Sequence, residues 1–165
     1  MTESQPMDNL KLERIFARNC SVRRIGKETA ERFISENHSM GWASCRYCYA
    51  LVAEKSTGRT EFHPQEKSVV AVATFSSSRR IEIDGCESRS FEWIRYASLN
   101  GTRVVGGMGK LLEAFIQDKH PGDIMTYADA SSSRGDAYMA LGFEFEKIVE
   151  KPGIKNYKFR KRIAK

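Results

Sequence analysis

The hydrophobic positions change period several times along the chain. Cys20-Ser-Val-Arg-Arg-Ile25 alternates apolar and polar residues as a half-buried strand does, and Gly26 punctuates its end. Over Lys27–Asn37 the period lengthens. Ala30, Phe33 and Ile34 fall at helical spacing, which predicts a short amphipathic helix. Tyr47–Ala53 is a near-continuous apolar run, expected as a strand buried on both faces, and Val69–Phe75 is the next strand, rich in β-branched residues. Between residues 76 and 90 the pattern leaves a hairpin and a lid open, although Asp84-Gly85 is a pair of the kind that closes tight hairpins. Residues 91–96 form an aromatic strand. Simple alternation places Glu92 on one face with Ile94 and Tyr96, opposite Phe91, Trp93 and Arg95.

Next come Arg103-Val-Val-Gly106-Gly107-Met108-Gly109-Lys110 and the helical pattern Leu111, Leu112, Phe115, Ile116. A helix over 110–118 is expected, stopped before His120-Pro121-Gly122. A short strand over 123–128, a polar loop, a helix over 134–141 ended by Gly142, and strands over 143–149 and 154–160 complete the pattern. Central strands alternating with helices, and hairpins at both ends, predict an α/β (α+β) fold around a mixed sheet. Residues 1–10 are polar and aperiodic, expected as a flexible N-terminal arm, and 11–165 as a single domain with a polar connection over 54–66.

Composition narrows the function. With 165 residues and 41% apolar content, the chain can bury a substantial core. Its 27 basic against 21 acidic residues give a net charge of +6, which favours coenzyme phosphates or nucleic acid as a partner, or marks only a basic surface. Residues 155–165 carry six basic side chains and no acid, read either as a solvated strand edge guarded by charge or as a phosphate contact. Four cysteines with no hydrophobic leader and no membrane-length apolar run lead us to expect a cytoplasmic protein with reduced thiols and no membrane partner. Cys45-Arg-Tyr-Cys48 has metal-ligand spacing, and His38 or His63 could join it, but a second paired motif is missing. The expectation is no metal and partly buried cysteines.

Three glycines within four residues, placed between a strand and a helix, describe a loop whose N–H groups can close around a phosphate. No Gly-Lys-Ser or Gly-Lys-Thr follows them, as a nucleoside triphosphate loop would require. The turn-rich segment 37–42 sets His38 near Trp42, either for function or as a satisfied structural histidine.

The order strand, glycine loop, helix, short strand, Tyr138-Met-Ala-Leu-Gly142-Phe143 and strand resembles the GNAT superfamily of N-acetyltransferases. That resemblance implies a mostly antiparallel central sheet flanked by helices and a coenzyme A loop reading Arg or Gln-x-x-Gly-x-Gly or Ala. Arg103, Val105, Gly106, Gly107, Met108, Gly109 and Lys110 would then bind acetyl-CoA or another acyl-CoA. The loop fits in two registers: one keeps Arg103 and puts Met108 at a small-residue position, the other keeps Gly107 and Gly109 and loses the arginine. Tyr138 matches the tyrosine that protonates the leaving thiolate, or it is an aromatic residue packing the last helix. Glu92 stands where the superfamily often carries a carboxylate base, or it simply pairs with an arginine. Thr126-Tyr127-Ala128-Asp129 and the His38 loop further resemble phage Mom-type enzymes that modify adenine in DNA. This adds Asp129 and His38 to the catalytic set, and Trp42 and Tyr127 to the base-contacting set, or leaves Asp129 as a cap. The readings carried forward are an acyl-CoA-dependent N-acyltransferase acting on a nucleic-acid base, an ordinary small-molecule or protein N-acetyltransferase, and a catalytically silent DNA-binding module.

Overall fold

The computed structural model describes residues 13–53 and 69–163. The arm expected over 1–10, the connection over 54–66 with His63, and the last two residues lie outside the described residues.

The elements run β1 (Glu13–Phe16), a 3-10 turn (Ala17–Asn19), β2 (Cys20–Arg24), α1 (Lys27–Asn37), β3 (Tyr47–Ala53), β4 (Val69–Phe75), β5 (Arg79–Ile83), β6 (Cys86–Ser98), β7 (Thr102–Val105), α2 (Gly107–Lys119), β8 (Asp123–Asp129), α3 (Asp136–Ala140), β9 (Glu144–Lys151) and β10 (Ile154–Arg162). Among the described residues the main sheet has the order β2-β3-β4-β6-β8-β10-β9, with β5 hairpinned onto the start of β6. The pair β6/β8 is parallel and every other pair in this sheet is antiparallel. The fold is therefore the mixed, mostly antiparallel one expected.

Alternation along β3 divides the interior into two layers. Cys48 and Ala50 join Ala30, Phe33 and Ile34 of α1, whereas Tyr49 and Leu51 join Leu111, Leu112 and Phe115 of α2 on the other face. Phe115 stacks on Phe75 with ring centroids 3.8 Å apart and meets Phe91 edge to face at 5.1 Å. The helices thus cover opposite faces of the same strands, which explains the unbroken apolar run of β3.

Four expectations change. The glycines do not form a loop before the helix: α2 begins at Gly107, and only Gly106 adopts the left-handed conformation, φ 78°. Residues 102–105, read with that loop, form β7 and pair in parallel with β1, an element too short to show a period. The basic C-terminal segment is not a sheet edge, because β10 lies between β8 and β9. The alternation assumed for residues 91–96 also fails. Phe75 pairs with Trp93 but Thr74 with Arg95, so Ile94 is the extra residue of a β-bulge. After the bulge the phase inverts. Tyr96 comes round to the face of Trp93, which its ring meets edge to face at 6.3 Å, and Arg95 to that of Glu92. The open segment 76–90 resolves as a hairpin, with Asp84 and Gly85 both at positive φ as a two-residue turn requires.

Candidate active site

The site starts from a ladder that stops early. β6 and β8 pair only from Ser90/Asp123 to Trp93/Thr126. Beyond this, β6 continues to Ser98 paired with β4 alone, and β8 to Asp129 paired with β10 alone. The bulge lies at the same place, and Ile94 has no registered partner on either neighbour. Two parallel strands therefore part at their C-terminal ends, where open sheets with parallel strands bind ligands.

Helix α2 ends this opening. Its cap, Gly106, supplies no side chain to the first N–H groups, and the first capping-range amide with an intrahelical partner is that of Lys110, which donates to the Gly106 carbonyl at 3.0 Å. The amides of Gly107, Met108 and Gly109 thus stand at the positive end of a 13-residue helix. Gly107 is required by close approach: a Cβ there would lie 2.5 Å from the Tyr96 hydroxyl and 2.9 Å from Val104. A Cβ on Gly109 would meet Leu141, just after α3, at 3.4 Å. The helix start is thereby seated between β6 and the residue that follows α3. This geometry fits a phosphate group.

The neighbouring side chains divide in their roles. Met108 packs against the main core, Arg103 is exposed on β7, and Val105 is 38% exposed. Lys110 Nζ donates to the carbonyls of Ala17 and Cys20 at 2.9 and 2.6 Å, tying the 3-10 turn to α2. Charge-assisted bonds of this kind contribute ~1.5–3 kcal/mol. Lys110→Ala is accordingly expected to lower Tm by several degrees, which thermal melts check.

Tyr138 lies within the opening on the α2 side. Its ring meets Trp93 at 5.6 Å and Phe143 at 5.7 Å, edge to face, and Phe159 at 6.0 Å. Burial raises its pKa against the opposing effects of a hydrogen bond with Thr126 and the charge of Arg95, so the phenol stays protonated at neutral pH. The residue is carried by α3, whose cap Gly135 sits at φ 78° directly against the Phe159 ring.

Glu92 stands on the opposite face of the sheet. Half-buried, it has its pKa raised by desolvation, partly offset by Arg79, Arg95 and Lys158. Arg95 donates from Nε to the Gly41 carbonyl at 3.0 Å, and its charge is felt by Glu92, Tyr138 and His38. Sequence reasoning missed Arg95 and Tyr96 because the bulge moved both. A cation inside an aromatic strand was the available signal.

His38 ends α1. Its Nδ1 accepts from the Met40 amide at 3.0 Å, and burial, with Arg95, lowers its pKa. Trp42 packs against the second core. Asp129 accepts from both the amide and the hydroxyl of Ser131, at 2.9 and 2.8 Å, which holds its carboxyl below the usual range. Tyr127, at 36% exposure, pairs across the ladder with Lys158. A groove of about 430 Å³ joins Asp129 to Met40 and to Lys151, Ile154 and Lys155 of the β9–β10 hairpin. The structure therefore sets Tyr138 and the α2 start on one face of the sheet near the strand opening and Glu92 with Arg95 on the other, with Asp129 and Met40 in a groove of their own. Among the described residues no three of His, Cys, Asp and Glu stand together as a metal site.

By sequence, no family model and no curated protein matches the chain. By structure, 88% of the chain superposes on 95% of the Escherichia coli ribosomal-protein-S18-alanine N-acetyltransferase, TM-score 0.58 at 16% identity. Arabidopsis thaliana NAA60 in complex with acetyl-CoA matches with TM-score 0.66 at 14% identity, over 87% of this chain and 99% of that one. Arabidopsis thaliana Naa50 in complex with the bisubstrate analogue CoA-Ac-MVNAL matches with TM-score 0.58 at 11% identity, over 88% and 99%. The chain has the fold of the GNAT N-acetyltransferases.

Proposed function

We propose that the protein is an acyl-CoA-dependent N-acyltransferase. The observation that carries this reading is the uncapped, glycine-built start of α2 at the point where β6 and β8 part, with a buried, protonated tyrosine beside the same opening. The amides of Gly107, Met108 and Gly109 would hold the pyrophosphate of the coenzyme, whose thioester supplies the acyl group. Tyr138 would donate its proton to the departing sulfur, and Glu92 would take one from the acceptor amine, directly or through water. Glu92 is favoured over Asp129 because its pKa is raised, which makes it the stronger base, whereas Ser131 holds that of Asp129 low. Arg95 stabilises the ionised form of Glu92 and links it to the His38 loop.

The acceptor we favour is the amine of a peptide-like molecule. The groove beside Asp129 bears two large exposed apolar side chains, Met40 and Ile154, and Trp42 packs, partly buried, against the second core. The structural neighbours that carry peptide or bisubstrate ligands support this choice. A nucleic-acid base is the second reading, favoured by the exposed Tyr127 ring and the net charge of +6. It draws little on the basic C-terminal segment: Lys158 and Arg160 pair with Glu146, Arg160 also with Asp123, and Lys161 donates to the Leu141 carbonyl.

Calorimetry with acetyl-CoA tests the reading. Saturable one-to-one binding is expected. Gly107→Ala, by driving the first turn of α2 against Tyr96, is expected to weaken binding about tenfold, ~1.4 kcal/mol. Absence of binding to the folded wild type would remove the proposal. Mass spectrometry of peptides and of nucleosides incubated with the loaded enzyme then decides the acceptor.

A further inference from the structure

The Cys45/Cys48 pair lies on the α1 face, apart from the strand opening. Cys48 is in β3, 3% exposed, among Ala30, Phe33 and Ile34. Cys45 precedes the strand, and a bend at Arg46 folds it back over Cys48 so that the two Sγ atoms stand 3.4 Å apart. Both thiols are free, Cys45 half-exposed and Cys48 buried. That asymmetry matches a dithiol in which one sulfur meets a small reagent and the other can be reached only from within.

We propose that Cys45 and Cys48 form a redox-active dithiol that is oxidised to an intramolecular disulfide by small-molecule disulfides, with Cys45 attacking first and Cys48 resolving. The Cys45 thiolate attacks one sulfur of the reagent, whose S–S bond breaks and whose second half leaves as a thiolate that takes up a proton. The Cys48 thiolate, its proton lost to solvent, then attacks Cys45 Sγ in the mixed disulfide and expels the first half as a second thiol. The two cysteines are oxidised by two electrons and the reagent is reduced to two thiols. Ionisation follows the same order. The hydrogen bond from Cys48, together with the charge of Lys27, lowers the Cys45 pKa, and the same contact and burial raise that of Cys48. Closing the sulfurs from 3.4 Å to the disulfide length of about 2 Å falls to Cys45, which lies outside the strand that holds Cys48. The bond fixes to β3 the segment running from Gly41, whose carbonyl accepts from Arg95.

The test uses the full chain carrying Cys86→Ser, which removes the exposed fourth thiol. Glutathione disulfide is added across a series of ratios to glutathione, followed by alkylation and peptide mass spectrometry. The expected result is a single Cys45–Cys48 disulfide, formed reversibly. Cys48→Ala should accumulate glutathione on Cys45, and Cys45→Ser should leave Cys48 reduced, both with unchanged circular dichroism. A stable Cys45 mixed disulfide with Cys48 intact, or two unreacted thiols in the folded protein, overturns the proposal.

Discussion

Tyr138→Phe is expected to lower kcat about 10²-fold or more, the scale on which a positioned general acid contributes, with acetyl-CoA affinity and Tm nearly unchanged. The separation is possible because the ring, not the hydroxyl, holds α3 in place, through Trp93, Phe143 and Phe159. Nor is a buried partner orphaned, because Thr126 Oγ1 donates to the Trp93 carbonyl at 2.9 Å whether or not the phenol is present. The pH profile gives an independent reading. As a base Glu92 must be ionised, so the rate climbs as pH rises through its raised pKa, above the ordinary glutamate range. As an acid Tyr138 must be protonated, and its raised pKa keeps the rate up until strongly alkaline pH. Tyr138→Phe should remove the alkaline decline and keep the acidic one, and full turnover in this variant would exclude Tyr138 from proton transfer.

Asp123→Ala is expected to cost about 2–4 kcal/mol of stability, the largest loss from any one substitution proposed for this protein. Asp123 is 4% exposed at the start of β8. There it accepts from the Ser90 hydroxyl of β6 and from Arg160 of β10, the latter at 2.8 Å. One carboxylate thus binds three strands at the closed end of the β6/β8 wedge. Breaking a buried pair by removing one partner costs ~3–5 kcal/mol. Arg160 is partly exposed and retains Glu146, which moderates the figure. Urea titration measures it, and Ser90→Ala should reproduce a smaller part through the lost hydrogen bond, ~1 kcal/mol.

Much of the fold was legible in the residue pattern. β3, β4 and α1 begin and end where their apolar periods do, because tertiary packing there follows local alternation. β1 and β7 escaped notice since four residues with one or two buried side chains give no measurable period, and their pairing joins segments far apart in sequence. The glycines were legible as a backbone approaching something closely, but not as the first turn of α2, since glycine is a poor helix former and its place there rests on Tyr96 and Val104. For the site, a single extra residue at Ile94 decides which side chains share a face. A bulge has no reliable mark in one sequence, so Arg95 and Tyr96 became visible only with the ladder.

The parting of β6 and β8 also bears on strand-to-strand association. Past Trp93 and Thr126 the sheet contains two half-edges in its interior, backbone that would elsewhere be a template for a neighbour's strand. Asp123 ties the two strands at one end, and beyond the point where they part the start of α2 packs against Tyr96 of β6. Backbone hydrogen-bonding capacity is thus left in the middle of the sheet, where on the proposed reading a ligand would use it rather than another strand.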